Sequence, residues 1–207
     1  MKFLTHKIEF PSIDEATSEG LIAVGGDLST DRLLLAYKRG IFPWFEDDKA
    51  ILWWSPDPRF VLYPEELRVS KSMRQVLRNC KFTVTVNQAF SQVIEACASI
   101  KRNGQEGTWI TENMTKAYID LYEMGFAKSV EVWEDGALVG GFYGLDLGND
   151  VFCGESMFSK VSNASKAAFI TFVQNTNYKV IDCQIYTYHL ESLGARSISR
   201  DTYLSYL

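Results

Sequence analysis

Apolar and polar positions alternate along this chain with two periods, two residues and about three and a half, and the switches between them mark its elements. The shorter period runs through Phe82-Thr83-Val84-Thr85-Val86 and Ser129-Val130-Glu131-Val132-Trp133. Asp135-Gly136 follows the second run as a hairpin signal, so Ala137 to Leu145 is the predicted return strand. Gly148-Asn149 turns the chain into a third strand, Asp150 to Met157. The longer period places Leu33, Leu34 and Tyr37 on a helix that Ser29 opens and Gly40 closes. Ser70 opens a second helix. Asn87 is expected to cap a third, with Phe90, Val93, Ile94 and Cys97 inward, and Thr111 a fourth, with Met114, Tyr118, Leu121 and Tyr122 inward. Ser162 or Asn163 opens the next, a short helix carries His189 before Gly194, and Ser199 caps a last turn. Residues 1–28 read as extended or looped. This order predicts an α+β fold, a mixed sheet with helices on its faces.

The most informative strand is Val180-Ile181-Asp182-Cys183-Gln184-Ile185. Side chains alternate across a strand, so Asp182 and Gln184 are expected on one face and Cys183 on the other. An acid and an amide on an apolar strand are costly to bury without partners. They form either a structural hydrogen-bonded pair or a carboxylate and an amide aimed into a cleft. A meander followed by helix and strand suggests an acyltransferase fold, in which two neighbouring strands splay around an acyl group. Gly140-Gly141, Glu155 and the Asp182–Gln184 pair would then face one cleft. Paired glycines inside a strand point to a bulge or to a ligand close to the backbone.

Charge and composition narrow the reading. The formal net charge is −5, so no whole-molecule basic field attracts nucleic acid. Yet residues 68–81 hold Arg68, Lys71, Arg74, Arg78 and Lys81 and no acid, and three of these share a helix face. That face is either simply solvated or a phosphate-binding patch. Cys80, Cys97, Cys153 and Cys183 show no C-x-x-C spacing, and there are two histidines, which disfavours zinc. Reduced thiols of the cytoplasm are expected, with no secretion signal and no membrane-length apolar run. Phe158 to Ser165 is not the glycine-basic loop of a CoA enzyme, and no dinucleotide, P-loop or G-x-S-x-G motif occurs. Cys183 is disfavoured as a nucleophile because alternation turns it from Asp182, and His189 reads more simply as a helix-face histidine than as a base.

Between Gly40 and Arg59 lie three tryptophans, two phenylalanines and three prolines. Such a stretch is either a small domain's core with its rigid linker or an aromatic wall that stacks a base or lines an apolar pocket. Pro56, Pro58 and Pro64 suggest a boundary near residues 55–64, dividing a small N-terminal domain (1–62) from a larger domain (63–207).

Phe42-Pro43-Trp44-Phe45, Trp53-Trp54-Ser55-Pro56-Asp57-Pro58-Arg59, Glu106-Gly107-Thr108-Trp109-Ile110-Thr111 and Cys153-Gly154-Glu155-Ser156-Met157-Phe158-Ser159 follow one another in that order. With Ile181 to Gln184 they resemble the leucyl/phenylalanyl-tRNA–protein transferase family over almost the whole chain. The resemblance implies a small N-terminal domain on a GNAT-like acyltransferase domain, acting without metal, CoA or other cofactor. It implies transfer of Leu or Phe from leucyl-tRNA or phenylalanyl-tRNA to proteins with N-terminal Arg or Lys, tagging them for N-end rule degradation. By that resemblance Asp182 and Gln184 are the catalytic pair, with Asp182 a base or a positioning residue. Tyr37, Trp44 and Trp109 should line the aminoacyl-adenosine site, with Tyr118 nearby. Glu155 and Ser156 are expected in the same cleft, and Phe142, where relatives often have Met, in the side-chain pocket. Lys71, Arg74, Arg78 and Lys81 match the patch for the tRNA acceptor stem. A cytoplasmic monomer is expected. A transferase building peptidoglycan cross-bridges and a non-catalytic tRNA-binding protein are the alternatives, and no internal duplication supports the first.

Overall fold

The structure, a computed structural model, describes residues 2–100 and 109–207. Most of the expected Asn103–Ile110 loop therefore lies outside the described residues. A small sheet opens the chain, formed by β1 (Lys2–Leu4), β2 (Leu21–Gly25), β3 (Phe42–Pro43) and β4 (Leu52–Trp54) in the order β1-β2-β4-β3. Helix α1 (Thr30–Lys38) connects β2 to β3. Residues expected to be extended or looped thus supply two strands. The buried Trp53 indole donates to the Gly25 carbonyl at 2.8 Å, satisfying the one polar atom that a core tryptophan brings with it.

Seven strands form the large sheet: β5 (Arg59–Leu62), β6 (Thr83–Val86), β7 (Ala127–Glu134), β8 (Ala137–Asp146), β9 (Val151–Ser159), β10 (Val180–Gln184) and β11 (Arg196–Ile198). Their order is β11-β5-β10-β9-β8-β7-β6. All neighbours are antiparallel except β9 and β10, which run parallel. The proline-marked stretch expected as a boundary holds β5, buried at all four residues between β10 and β11.

Helices α2 (Lys71–Arg78), α3 (Phe90–Ser99), α4 (Glu112–Glu123), α5 (Ala164–Gln174), α6 (Tyr188–Ser192) and α7 (Arg200–Leu204) cover the sheet. Period-two alternation sorts the strand residues by face. Val61, Tyr143, Val151, Cys153 and Val180 pack with α1, α3, α4 and the small sheet. Phe60, Leu62, Val130, Phe142, Phe152 and Ile181 pack with α2 and α5. Each such fully buried side chain contributes roughly 1.5–3 kcal/mol by leaving water.

Three local expectations change. Asn87 does not cap α3; it sits at φ 57° and its Oδ1 accepts the Ser129 amide at 2.9 Å. The amides of Gln88 and Ala89 go instead to the Glu131 carboxylate across the sheet, at 3.2 and 3.3 Å. Neither Ser162 nor Asn163 caps α5 through a side chain; Asn163, the residue before it, has φ 71°. Of the two readings of the paired glycines, the bulge holds beside Gly140, where pairing shifts between Val132–Gly140 and Trp133–Leu138, while the close approach at Gly140 is that of a helix, because a β-carbon there would stand 2.6 Å from Ala164 Cβ at the start of α5.

The parallel pair positions the site. β10 pairs with β9 only at Val180–Val151, Ile181–Phe152 and Asp182–Cys153. Beyond that point β9 continues along β8 to Ser159 while β10 stops at Gln184. The two strands splay apart and leave a wedge.

Candidate active site between the splayed strands

The wedge holds a cavity of about 500 Å³. Phe142, Met157, Phe158, Phe169 and Leu190 form an apolar wall, and Phe42, Trp44 and Trp109 an aromatic one. Glu155, Asp182 and Gln184 supply polar atoms between them.

Glu155 is placed by a bulge. Tyr143 pairs with Ser156 and Gly144 with Gly154, so Glu155 is the extra residue of β9. A bulge re-aims a side chain that regular pairing would fix. Gln184 Nε2 donates to its Oε1 at 2.7 Å and the Tyr118 hydroxyl to its Oε2 at 3.0 Å. Tyr37 and Tyr118 share a 2.5 Å hydrogen bond behind it. Removal from water pushes the Glu155 carboxyl up to about 8, against the lowering effect of hydrogen bonds from Tyr37, Tyr118 and Gln184, and the Asp182 charge adds to the rise.

Tyr37 and Tyr118 were expected on the cavity wall and beside it. Tyr37 lies instead in the core behind Glu155, 1% exposed, while Tyr118, 0% exposed, stands beside the cavity through its bond to Glu155; neither is on the lining. Burial first, then the Glu155 charge, holds both phenols well above their ordinary range, so they stay neutral donors.

Asp182 is 0% exposed and its carboxylate is fully engaged. Oδ1 accepts from Arg59 Nε and from the Gln184 amide, both at 2.8 Å. Oδ2 accepts from Arg59 Nη2 at 2.6 Å and from the Tyr203 hydroxyl at 2.9 Å. The Arg59 guanidinium lies between the Phe42 and Tyr203 rings, 4.7 and 4.5 Å from their centroids. Simple alternation does not survive to the end of β10. The Ile185 amide bonds the Cys183 carbonyl at 2.8 Å around Gln184, which takes φ 62°. This γ-turn with positive φ is strained for a non-glycine residue. The Asp182–Gln184 amide bond holds it, and the turn sends the Gln184 side chain to Glu155.

Arg59 and Tyr203 are site residues that the sequence reading missed. A signal for Arg59 existed: an acid on an apolar strand demands a cation, and Arg59 opens the apolar run Phe60-Val61-Leu62. Cys183 lines the cavity, but burial pushes its thiol above the usual range, which opposes a thiolate. His189 also lines the cavity. Burial lowers its pKa, and its Nε2 has no hydrogen-bond partner among the described residues. Phe142 and Ser156 line the cavity as well, and Phe142 packs edge-on against Phe152, Phe169 and Phe172. Lys71, Arg74 and Arg78 are exposed on α2, and Lys81 pairs with Glu134 at 3.0 Å. Among the described residues no three His, Cys, Asp or Glu side chains converge as metal ligands, and no helix is long and apolar enough to cross a membrane.

A parallel pair splayed around a cavity, in a mixed sheet covered by helices, is the architecture of a GNAT-like acyltransferase. Among solved structures, a GCN5-related N-acetyltransferase from Kribbella flavida aligns at a TM-score of 0.38 and 11% identity, over 79% of this chain and 58% of that one, a likeness too slight to argue from. Family comparison is decisive. Residues 61–207 match the model for leucyl/phenylalanyl-tRNA protein transferase, and residues 26–57 match the model for its N-terminal domain. A leucyl/phenylalanyl-tRNA–protein transferase of Flavobacterium johnsoniae is 57% identical over 100% of this chain and 99% of its own. One of Pseudomonas fluorescens is 53% identical over 98% and 91%. The chain belongs to the leucyl/phenylalanyl-tRNA–protein transferase family.

Proposed function

We propose that this protein moves Leu or Phe from aminoacyl-tRNA to the N-terminal Arg or Lys of a protein, forming a peptide bond and marking that protein for degradation. The observation that carries the mechanism is Glu155, an acid of raised pKa held by Gln184 and Tyr118 at an apolar cavity. The aminoacyl group arrives as an activated ester, so alignment with the amine is the main task. The acceptor amine attacks the ester carbonyl, the C–N bond forms, and the C–O bond to the terminal ribose breaks. The amine's proton passes to the departing ribose oxygen with Glu155 as carrier; a carboxyl near 8 is matched to take and return a proton close to neutrality.

Asp182, with its oxygens all engaged, supports a positioning role: it holds the Gln184 turn, and Gln184 holds Glu155. Phe142, Met157, Phe169 and Leu190 take the donor side chain. Trp44 and Trp109 flank the terminal adenine, a contact worth roughly 1–3 kcal/mol. The α2 cations meet acceptor-stem phosphates. The enzyme works as a cytoplasmic monomer.

The test is transfer of labelled leucine from leucyl-tRNA to a peptide beginning with Arg, beside one beginning with Ala. Label on the Arg peptide alone is expected. No label from leucyl-tRNA or phenylalanyl-tRNA, on Arg or Lys peptides, overturns the reading.

A further inference from the structure

Immediately after the Gln184 turn the chain runs along the cavity mouth. Ile185, Thr187 and His189 line the cavity, and the residues between them, Tyr186 and Tyr188, are 57% and 78% exposed. These are the tyrosines that stand out into solvent among the described residues. Tyr186 is nevertheless fixed. Its ring sits edge-on to Phe60 at 5.3 Å and 72°, and its hydroxyl donates to Glu191 at 2.8 Å. A flat side chain held at both ends and left open to water has already lost the freedom that stacking would cost it.

The surroundings are basic. Helix α6, which Tyr188 begins, leads to Leu193, whose carbonyl accepts the Arg68 amide at 2.8 Å. From Arg68 the chain enters α2, with Lys71, Arg74 and Arg78 exposed. Lys166 of α5 is close enough to His189 for its charge to be felt there. Glu191, the carboxylate on α6, is occupied by Tyr186. From the cavity mouth the chain thus passes through the two tyrosines and α6 to Leu193, which is hydrogen-bonded to the backbone of Arg68 at the start of the cationic segment.

We propose that Tyr186 and Tyr188 form a stacking platform for the unpaired nucleotides preceding the terminal adenosine of the bound aminoacyl-tRNA. This rests on the transferase reading above. A strand that leaves its last nucleoside in the cavity and its helical stem on α2 crosses this rim. Stacking on aromatic rings tolerates any base. An acceptor peptide beginning with Arg or Lys is cationic, and the basic flank repels it while attracting phosphates.

The test compares leucyl esters of adenosine, of the dinucleotide CpA and of the trinucleotide CpCpA as donors to an Arg peptide, for wild type, Tyr188→Ala, Tyr188→Trp and Tyr186→Ala. These donors lack the stem, so α2 does not enter. Wild-type kcat/KM is expected to rise as cytidines are added. Tyr188→Ala should lose about fivefold more with CpCpA than with adenosine, the equivalent of about 1 kcal/mol of stacking. Tyr188→Trp should keep the gain. Tyr186→Ala should behave like Tyr188→Ala. Equal losses with all three donors, or a loss that follows the second residue of the acceptor peptide, overturn the platform. Wild-type transfer from leucyl-adenosine tests the transferase reading separately: if it is present and cytidines add nothing, only the platform falls. If wild type transfers from leucyl-tRNA but from none of the three short donors, the platform alone falls; if leucyl-tRNA fails as well, both fall.

Discussion

Glu155→Gln separates the chemistry of Glu155 from its place in the fold. The wild-type carboxyl ionises at an ordinary 4.5 in the unfolded chain and at about 8 in the folded one. Below pH 4.5 both states hold the proton and ionisation costs nothing. Between 4.5 and about 8 the unfolded chain releases it while the folded chain keeps it, so folding loses about 1.36 kcal/mol per pH unit. Stability is lost as pH rises, and the loss levels off above about 8. The full span approaches 5 kcal/mol; the carboxyl is partly open to the water-accessible cavity, which reduces the expected figure to about 3–4 kcal/mol. Glutamine keeps the size and an acceptor for Gln184 Nε2 but has no proton to release. The variant's stability relative to wild type should therefore grow by about 2.5–3 kcal/mol from pH 5 to pH 8.5, most of that span. Urea unfolding of both proteins at half-unit steps measures it, and groups common to both cancel in the difference. A difference that stays flat, or shrinks as pH rises, would refute the account of how Glu155 is held.

Other outcomes follow from the same geometry. Wild-type kcat/KM should climb with pH up to about 8 with a slope steeper than one, because Glu155 and the acceptor amine both lose protons; Glu155→Gln should leave a slope of one on a much lower rate. Arg59→Met should cost about 3–5 kcal/mol by stranding a buried carboxylate, and adding Asp182→Leu should recover part of that in denaturant titrations. Gly140→Ala should lose roughly 1–3 kcal/mol because α5 has no room to retreat, seen as a Tm several degrees lower. Arg74→Ala should weaken tRNA binding and reduce the slope of log affinity against log salt by about one. Phe142→Met should change the ratio of kcat/KM for phenylalanyl- over leucyl-tRNA; an unchanged ratio removes Phe142 from donor selection.

Local signals made much of the fold readable. Asp135-Gly136 places the β7–β8 hairpin, Thr111 caps α4 through the Met114 amide, and Ser70 and Ser199 cap their helices as their positions suggest. The unusual Asp182 and Gln184 marked the strand where the cavity lies. What stayed hidden depends on distant partners. Asp182 and Arg59 stand 123 residues apart, and no periodicity links them. That the residues after the prolines form β5 was hidden, because local preference cannot report that two later strands will close over them. Tyr37 was placed on the wall by resemblance, and a resemblance does not say whether an aromatic faces a ligand or stands behind the residue that does.

β5 also bears on the order in which the molecule can assemble. It is made early, yet its neighbours in the sheet, β10 and β11, come from near the end of the chain. Until they arrive, the apolar run Phe60-Val61-Leu62 and the Arg59 charge have no lasting place. Contacts of such long sequence separation slow folding, since a large loop must close before anything is gained. A cut between Leu62 and Lys71 would leave the later fragment with β10 and β11 facing each other across a missing strand. Such bare edges recruit strands from other copies. Supplying residues 1–62 in trans should instead fill the gap, making fragment complementation, read as recovered soluble protein, a measure of how strongly β5 and the small sheet and α1 that precede it bind the rest of the molecule.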